Sequence, residues 1–260
     1  KVLFGSNYLF SSDDRGDSWK IISPDLTTND KKLRNTSNGG GLTNSNTGGE
    51  NHFTIITISD TPIDTSTIWV GTDDGNIQIS KNNGKKWENV RKNISGVPEK
   101  TWISRVEASK HKLGRAYVTL DNHRFDDNKP YVFVTENYGK TWKNITANLP
   151  EKYSIYVVKE DPIDEKLLFV GSEESVYFSI NRGESWEKLG NNLPTVAIHD
   201  LVIHPRDGDL IAGTHGRSIW ILDDISPLRN LQTNKKGFTN KRVSTKWISI
   251  NTGRKQPFFE

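Results

Sequence analysis

The side chains of this chain that could bind or transform a ligand lie between its apolar runs, and the densest group is in residues 120–129. This stretch, Leu-Asp-Asn-His-Arg-Phe-Asp-Asp-Asn-Lys, holds carboxylates, an imidazole, a guanidinium and a phenyl ring. It can line a polar groove for a glycan or a peptide, with Phe125 as a stacking platform. It can equally be a solvated loop held by internal salt bridges. Long loops in compact repeats are often functional, so both interpretations stay open.

Acid–base chemistry on a sugar would need two carboxylates facing each other across a cleft, one of them with a raised pKa. Acidic residues are plentiful outside the apolar runs, but none lies in a recognisable catalytic motif. The chain also has no nucleophile elbow, no phosphate-binding glycine loop and no H-E-x-x-H helix. A glycoside hydrolase is therefore the one enzyme class that stays open, and its catalytic residues are unknown.

The histidines do not predict a metal centre. His52, His123, His199 and His215 each stand alone in their own segment and lack the local spacing of a metal motif. The chain contains no cysteine, which excludes disulfides and cysteine-ligated metals. The sequence therefore predicts neither a metal nor a cofactor.

Charge and hydropathy exclude two further classes of partner. The net charge is only +3, with 35 Lys and Arg scattered among 32 Asp and Glu, whereas a nucleic-acid binder concentrates its basic residues in a stripe. No run of eighteen apolar residues is present, so no transmembrane segment is predicted. We expect no nucleic acid as a partner.

A repeated sequence pattern predicts the strands and turns that must position these side chains. Residues 12–19, 80–87, 135–142 and 179–186 share one octapeptide pattern. Ser or Thr leads, Asp or Asn follows two residues later, Gly two after that and Trp three after the Gly. The repeated positions are Asp14, Gly16 and Trp19; Asn82, Gly84 and Trp87; Asn137, Gly139 and Trp142; and Asn181, Gly183 and Trp186.

Each repeated position has a structural role. Asp or Asn can hold a tight turn by bonding nearby backbone N–H groups. The glycine permits positive φ, and the tryptophan can bury a large ring between neighbouring sheets. Three apolar runs precede each octapeptide after the first and one short run follows it, which gives four short strands per unit. We therefore predict that these residues serve folding and not catalysis.

Four-stranded units with this period are typical of a β-propeller. The sequence predicts an all-β fold of four-stranded antiparallel blades, about five of them visible, within a larger propeller. Residues 1–225 form the blades, and the first blade lacks its opening strand. Residues 226–260 are a C-terminal extension that completes a blade or leads to a further domain. The glycine-rich link 38–50 is either an ordered groove lip or a flexible insert.

The octapeptides resemble the Asp-box, or BNR, repeat of bacterial sialidases, sortilin-type VPS10 receptors, xyloglucan-specific endoglucanases and photosystem assembly factors. Three copies depart by having Asn in the Asp position, and Lys86 replaces Ser or Thr before Trp87. Segments 70–75, 104–109 and 213–224 resemble bacterial sortilin-like proteins that are often labelled glycosyl hydrolases. The resemblance implies a secreted or cell-envelope protein, with a signal upstream of this segment. The Arg-Ile-Pro signature of sialidases is absent, which disfavours that activity.

Blade topology predicts where a binding site would lie. The turn between strands three and four lies on one face of the disc, and the loops between strands two and three lie on the other with the blade links. The second face is the candidate binding face, and Glu173 also falls on it. Its predicted binding residues are Asp73, Asp74, Trp102, Arg105, His123, Arg124, Phe125, Asp126, Asp127, His199, Asp200, His215 and Arg217. His215 and Arg217 either face the channel mouth or lock the last blade to the first.

Two functions fit these features. The favoured one is a binding or scaffold module that recognises a peptide, a glycan or a partner protein on this face, beside upstream blades of the same parent chain. The alternative is a glycoside hydrolase of the xyloglucanase-like propeller type, which would use a pair of carboxylates and a polysaccharide.

Overall fold

A computed structural model describes residues 1–30, 53–190, 192–231 and 246–250. Within these residues the chain forms five antiparallel sheets, one of three strands and four of four strands. Each sheet is a meander whose strands pair in chain order. The predicted all-β fold of propeller blades is therefore confirmed. The glycine-rich link 38–50 and His52 lie outside the described residues.

The strands are short and evenly distributed. Blade 1 holds β1 (Val2–Gly5), β2 (Leu9–Ser12) and β3 (Lys20–Ile21), which correspond to strands two to four of the other blades. The other blades are, in order, β4 (Ile55–Thr61), β5 (Asp64–Thr72), β6 (Ile77–Ser80) and β7 (Glu88–Asn89); β8 (Trp102–Ala108), β9 (Ala116–Asn122), β10 (Asp127–Thr135) and β11 (Lys143–Asn144); β12 (Ile155–Glu160), β13 (Leu168–Ser172), β14 (Val176–Ser179) and β15 (Glu187–Leu189); and β16 (Ile198–Ile203), β17 (Leu210–Thr214), β18 (Ile219–Leu222) and β19 (Trp247–Ile250).

Among the described residues, helical structure is confined to short connections. The 3₁₀ turns span Arg91–Asn93 and His123–Phe125, and helix α1 spans Ser226–Asn230. In the part of the chain that the structure describes, none of the helices has the length and apolar character needed to cross a bilayer.

The hydrophobic core is divided into layers between successive sheets. Four clusters of buried apolar side chains each combine residues from two neighbouring blades. The first strands of successive blades contact each other, as β4 with β8, β8 with β12 and β12 with β16. Contact between consecutive first strands places them at the inner edge of the stack, where the channel of a propeller lies.

The four octapeptides form turns with one shared hydrogen-bond pattern. In the first turn, Ser12 donates its hydroxyl to Asp14 Oδ1 (2.6 Å) and accepts the Gly16 N–H (2.8 Å). Asp14 Oδ1 also accepts the Ser18 N–H at 2.9 Å. The other three turns repeat these bonds at 2.8–3.1 Å through Asn82, Asn137 and Asn181. All four glycines have positive φ, between 78° and 106°.

The octapeptide tryptophans pack toward the preceding blade. Trp186 is 3% exposed and donates its indole N–H to Ile145 O of blade 3 at 2.8 Å. Trp87 bonds Ile22 O of blade 1 in the same way at 3.2 Å. Trp19 of blade 1 is 43% exposed and contacts Phe4 edge to face within its own blade. Trp87 and Trp186 therefore each join one blade to the blade before it.

The fifth blade obtains its fourth strand from the C-terminal segment. Strand β19 pairs with β18, and Trp247 is 1% exposed in the core layer between blades 4 and 5. The Asn192 side chain brackets Trp247: its Oδ1 accepts the Trp247 N–H (2.9 Å) and its Nδ2 donates to Trp247 O (2.7 Å). Asn148 brackets Trp186 through the same pair of bonds. Trp247 thus packs as the octapeptide tryptophans do in other blades, although it does not belong to an octapeptide.

Each first strand carries an irregularity at its inner edge. In β12 the pairing with β13 shifts between Ile155 and Val157, so Tyr156 has no partner. The same shift leaves Ile56 unpaired in β4 and His199 in β16, and the pairing of β8 shifts between Trp102 and Arg105. A β-bulge bends its strand and re-aims the extra side chain. Blades 2 to 5 therefore each present a bulge near the channel.

Candidate functional site

Because the strands of each blade pair in chain order, the octapeptide turns lie on one face of the disc, and the loops between strands two and three lie on the other. We call these the turn face and the loop face. The most distinctive feature of the loop face is a row of four rings, the ring row, formed by His123, Tyr156, His199 and His215. Tyr156 stacks on His199 with centroids 4.4 Å apart and planes at 10°, and His215 lies 5.2 Å beyond His199. His123 meets Tyr156 edge to face at 6.4 Å.

Three successive blades contribute to the ring row. Tyr156 and His199 are the bulge residues of blades 4 and 5, and each bulge turns its ring to the inner edge. His123 begins the 3₁₀ turn after β9 in blade 3, and His215 follows β17 in blade 5. All three histidines are exposed and Tyr156 is half-buried, so the row is open to solvent.

Carboxylates hold two of the rings in place. Asp121 is 6% exposed; its Oδ2 lies 2.6 Å from His123 Nδ1 and its Oδ1 accepts the His123 N–H at 3.1 Å. The Tyr156 hydroxyl donates to Glu173 Oε2. Each ring is therefore oriented by an acid from its own blade, and each acid is already engaged.

An ion pair connects two non-adjacent blades beside the row. Arg105 Nη2 in blade 3 lies 2.7 Å from Asp200 Oδ1 in blade 5, and it also donates to His199 O at 3.4 Å. Arg105 Nε is buried and has no hydrogen-bond partner within the described ranges. The Arg105 side chain is 25% exposed and that of Asp200 is 53% exposed. The ion pair thus connects blades 3 and 5 across blade 4 at the inner edge of the stack.

The surroundings of the rings set their protonation. Partial burial raises the pKa of Tyr156, and its hydrogen bond to Glu173 and the charge of Asp121 act in the same direction. Partial burial also lowers the pKa of His199, with the nearby His215 adding to the effect. At neutral pH Tyr156 is therefore a neutral hydrogen-bond donor, and His199 is a neutral imidazole. A raised pKa is the opposite of what a tyrosine nucleophile needs.

A second aromatic group adjoins the row. Trp102 pairs with Asp121 across β8 and β9, and the Arg124 guanidinium lies 3.9 Å above its ring. This geometry is a cation–π contact. Phe125, next along the 3₁₀ turn, is 66% exposed. Asp126 ends the turn in the left-handed conformation with φ 60°.

Arg217 lies in the loop after β17 with His215 and is exposed. Neither Arg124 nor Arg217 forms an ion pair with any residue that the structure describes.

The carboxylates of several predicted site residues form hydrogen bonds within the protein. Asp74 is 1% exposed; its carboxylate accepts bonds from Thr28 N–H and hydroxyl (2.7 Å each) and from the Thr72 hydroxyl (2.6 Å). The Asp74 carboxylate is therefore buried and engaged within the protein, and we leave Asp74 out of the proposed site.

The carboxylates of Asp73 and Asp127 also accept hydrogen bonds from other protein groups. Asp73 accepts the Thr54 N–H at 2.9 Å. Asp127 accepts the Tyr131 hydroxyl at 2.7 Å and the Asn122 amide at 3.1 Å. We leave both out of the proposed site.

Sequence reasoning missed Tyr156, the central ring of the row. It occurs in an ordinary apolar strand pattern, Ile155-Tyr156-Val157-Val158, in which nothing marks a bulge. Asp121 belongs to the stretch 120–129, but its role as the partner of His123 depends on side-chain geometry. Over the described ranges, no group of three or more His, Cys, Asp or Glu side chains is arranged to hold a metal ion.

Comparison with known proteins agrees with this fold. The family model of sortilin and neurotensin receptor 3 (Sortilin-Vps10) matches residues 130–257. The chain is similar to sortilin-like β-propellers. The predicted resemblance to sortilin-like propeller proteins is thereby confirmed. No curated protein sequence matches the chain.

Solved structures of similar fold are also propellers. The GH74 xyloglucanase from Xanthomonas campestris is 18% identical with a TM-score of 0.64, over 94% of this chain and 36% of that one. The GH74 enzyme from Niastella koreensis is 17% identical with a TM-score of 0.60, over 94% and 35%. YCF48 bound to a D1 peptide is 15% identical with a TM-score of 0.52, over 85% and 63%. The chain thus spans about a third of the length of the GH74 enzymes, and at these identities the likeness concerns the fold alone.

Proposed function

We propose that the loop face binds a polypeptide partner, and that the protein acts as a binding or scaffold module at the cell envelope or outside the cell. The observation that carries this proposal is the solvent-open ring row with its flanking arginines. Tyr, Trp and Arg are the residues that most often dominate the binding energy of protein interfaces. A row of pre-oriented rings also loses little conformational entropy when a ligand binds.

The state of the carboxylates favours binding over catalysis. A glycoside hydrolase needs a general acid and a second carboxylate free to act across the scissile bond. Beside the ring row, Asp121 is engaged with His123, Glu173 with Tyr156, and Asp200 with Arg105. These pairs orient rings and a guanidinium, which suits a recognition surface.

The similar proteins add support of a coarser kind. The YCF48 structure holds a D1 peptide, so a propeller of this fold can serve peptide recognition. The match to sortilin and neurotensin receptor 3 supports a location outside the cytoplasm. We also propose that the four octapeptides are Asp boxes with a purely structural role on the turn face.

The proposal is tested by a binding screen with immobilised protein and panels of peptides and polysaccharides. We expect a peptide to bind without turnover, and the double substitution Tyr156→Ala with His199→Ala to weaken binding at least about 10-fold, the typical cost of losing an aromatic hot spot. Lys85→Ala, an exposed substitution on the turn face, is the matched control and should bind like the parent. Thermal melts of all variants show whether they remain folded.

Two outcomes would contradict the proposal. One is peptide binding that the ring-row substitutions leave unchanged. The other is release of reducing sugar from a polysaccharide, lost on Asp126→Ala or Asp200→Ala, which would favour the glycoside hydrolase.

A further inference from the structure

The environment of Arg105 extends the proposed function to a ligand chemistry. A guanidinium has five N–H donors arranged as a fork that matches a carboxylate with two parallel bonds. Arg105 uses only Nη2 for its ionic contact, with a single oxygen of Asp200 at 2.7 Å. Its Nε–H is buried and has no hydrogen-bond partner among the described residues. The Arg105 guanidinium therefore keeps a buried N–H donor without an acceptor in the described structure, which costs free energy.

Asp200 is the more replaceable member of this pair. Its side chain is 53% exposed, against 25% for Arg105. Its Oδ1 also accepts the Leu201 N–H at 2.9 Å, so the carboxylate stays close to its own backbone. Exposed ion pairs contribute little net stability, because water solvates the separated charges well. Exchanging Asp200 for another carboxylate would therefore cost little.

Two further guanidiniums lie near the ring row without a carboxylate partner in the described part of the chain. The acids Asp121 and Glu173 are engaged with rings of the row. Arg124 covers Trp102, and Arg217 is exposed beside His215; neither has an ion-pair partner among the described residues. These two guanidiniums can each pair with a carboxylate of a ligand, which favours a partner with acidic side chains.

We infer that the loop face recognises an acidic segment of a polypeptide, in which one ligand carboxylate replaces Asp200 on Arg105 while Arg124 and Arg217 attract the flanking negative charges. This inference rests on the proposed function, because it names the ligand of the same surface. Asp200 acts in it as an internal stand-in for the ligand carboxylate. No covalent bond is made or broken, because the step exchanges one ion pair for another.

The test uses the whole chain and a labelled ten-residue peptide of alternating Glu and Gly with blocked ends, measured by fluorescence anisotropy. Asp200→Asn keeps the shape and the Leu201 contact but removes the competing charge, so we expect affinity to rise about 5-fold or more. Arg105→Gln should lower affinity about 10-fold or more, the scale of a charge-assisted hydrogen bond. Lys85→Gln on the turn face removes one positive charge away from the site and should change affinity less than 2-fold.

Matched ligands identify the source of the carboxylate. A Gln-for-Glu peptide should bind at least about 10-fold more weakly, and freeing the blocked C-terminus should add little. A gain that comes only from the free C-terminus, or equal binding of an oligogalacturonate, would overturn the assignment to acidic side chains of a polypeptide. Raising the salt concentration from 50 to 300 mM should weaken binding, since exposed charges are screened.

The outcomes separate this inference from the proposed function. If peptides bind in a ring-row-dependent manner but Asp200→Asn and Arg105→Gln have no effect, the inference fails and the binding function stands. If no peptide binds and the ring-row substitutions affect nothing, the proposed function itself fails.

Discussion

Replacing Arg115 by methionine is expected to destabilise the junction between blades 3 and 4 severely. Arg115 is 3% exposed; its Nε lies 2.9 Å from Glu136, and its Nη1 lies 2.8 Å from Glu165 and 3.7 Å from Glu160. Glu136 and Glu165 are partly exposed and can be solvated without the arginine, but the Glu160 side chain is completely buried. The substitution leaves this buried carboxylate without its cation.

Breaking one partner of a buried ion pair typically costs about 3–5 kcal/mol. Other donors to Glu160 remain, namely Ser109 hydroxyl, Lys110 N–H and Tyr117 hydroxyl, so we expect the lower half of this range. For a chain of this size each kcal/mol shifts the melting temperature by about 2–4 °C. Arg115→Met should therefore lower Tm by roughly 6–16 °C in a calorimetric or circular dichroism melt.

The matched control is Arg182→Met, the same substitution in a residue that contacts the same Glu165. The Arg182 side chain is 39% exposed, so its loss should cost less than about 1 kcal/mol. Adding Glu160→Gln to Arg115→Met should recover part of the loss, since an amide needs no countercharge. Equal effects of the two arginine substitutions, or no recovery by Glu160→Gln, would refute the reasoning.

Three further predictions concern the stack and the ring row. Gly71→Ala should destabilise by about 1–3 kcal/mol, because the new Cβ would lie 2.5 Å from a side-chain atom of the following blade, whereas Gly213→Ala should be nearly neutral, because its nearest neighbour is 3.6 Å away. Asn192→Ala should cost about 1–3 kcal/mol by removing both bonds to the Trp247 backbone. Lowering the pH from 7.5 to 5.5 should reduce the free energy of unfolding of the parent protein more than that of the His199→Asn variant. Since the folded pKa of His199 is lowered, the unfolded state binds more protons, and stability falls as the pH drops through about 6.5 and toward the folded pKa.

Urea unfolding and thermal melts at matched pH measure all three. Equal destabilisation by the two glycine substitutions would contradict the packing of blade 2 against blade 3. An Asn192→Ala variant as stable as the parent would show that the C-terminal strand is held by other contacts. An identical pH dependence in parent and His199→Asn would remove His199 as a titrating group.

The octapeptide turns and the strand pattern could be read from the sequence because they are local. The bonds of the first turn join Ser12, Asp14, Gly16 and Ser18, all within six residues of one another. Such bonds follow from residue types and short spacing alone. Alternating apolar runs with turn residues between them determine strand existence in the same way, and four strands per unit predicted stacked blades.

The ring row and the Arg105 ion pair depended on tertiary structure. Arg105 and Asp200 are 95 residues apart in the chain and meet only because three blades stack with a common inner edge. A bulge brings Tyr156 into the row although its strand pattern is ordinary. Trp247 replaces an octapeptide tryptophan because the fifth sheet accepts a distant strand.

The sequence by itself determined the blades and their turns, since these follow from local bonds and chain-order pairing. Which side chains meet on the loop face was decided by the tertiary structure. Strand register, bulges and blade stacking set the distances between rings and charges, and no local sequence pattern encodes those distances.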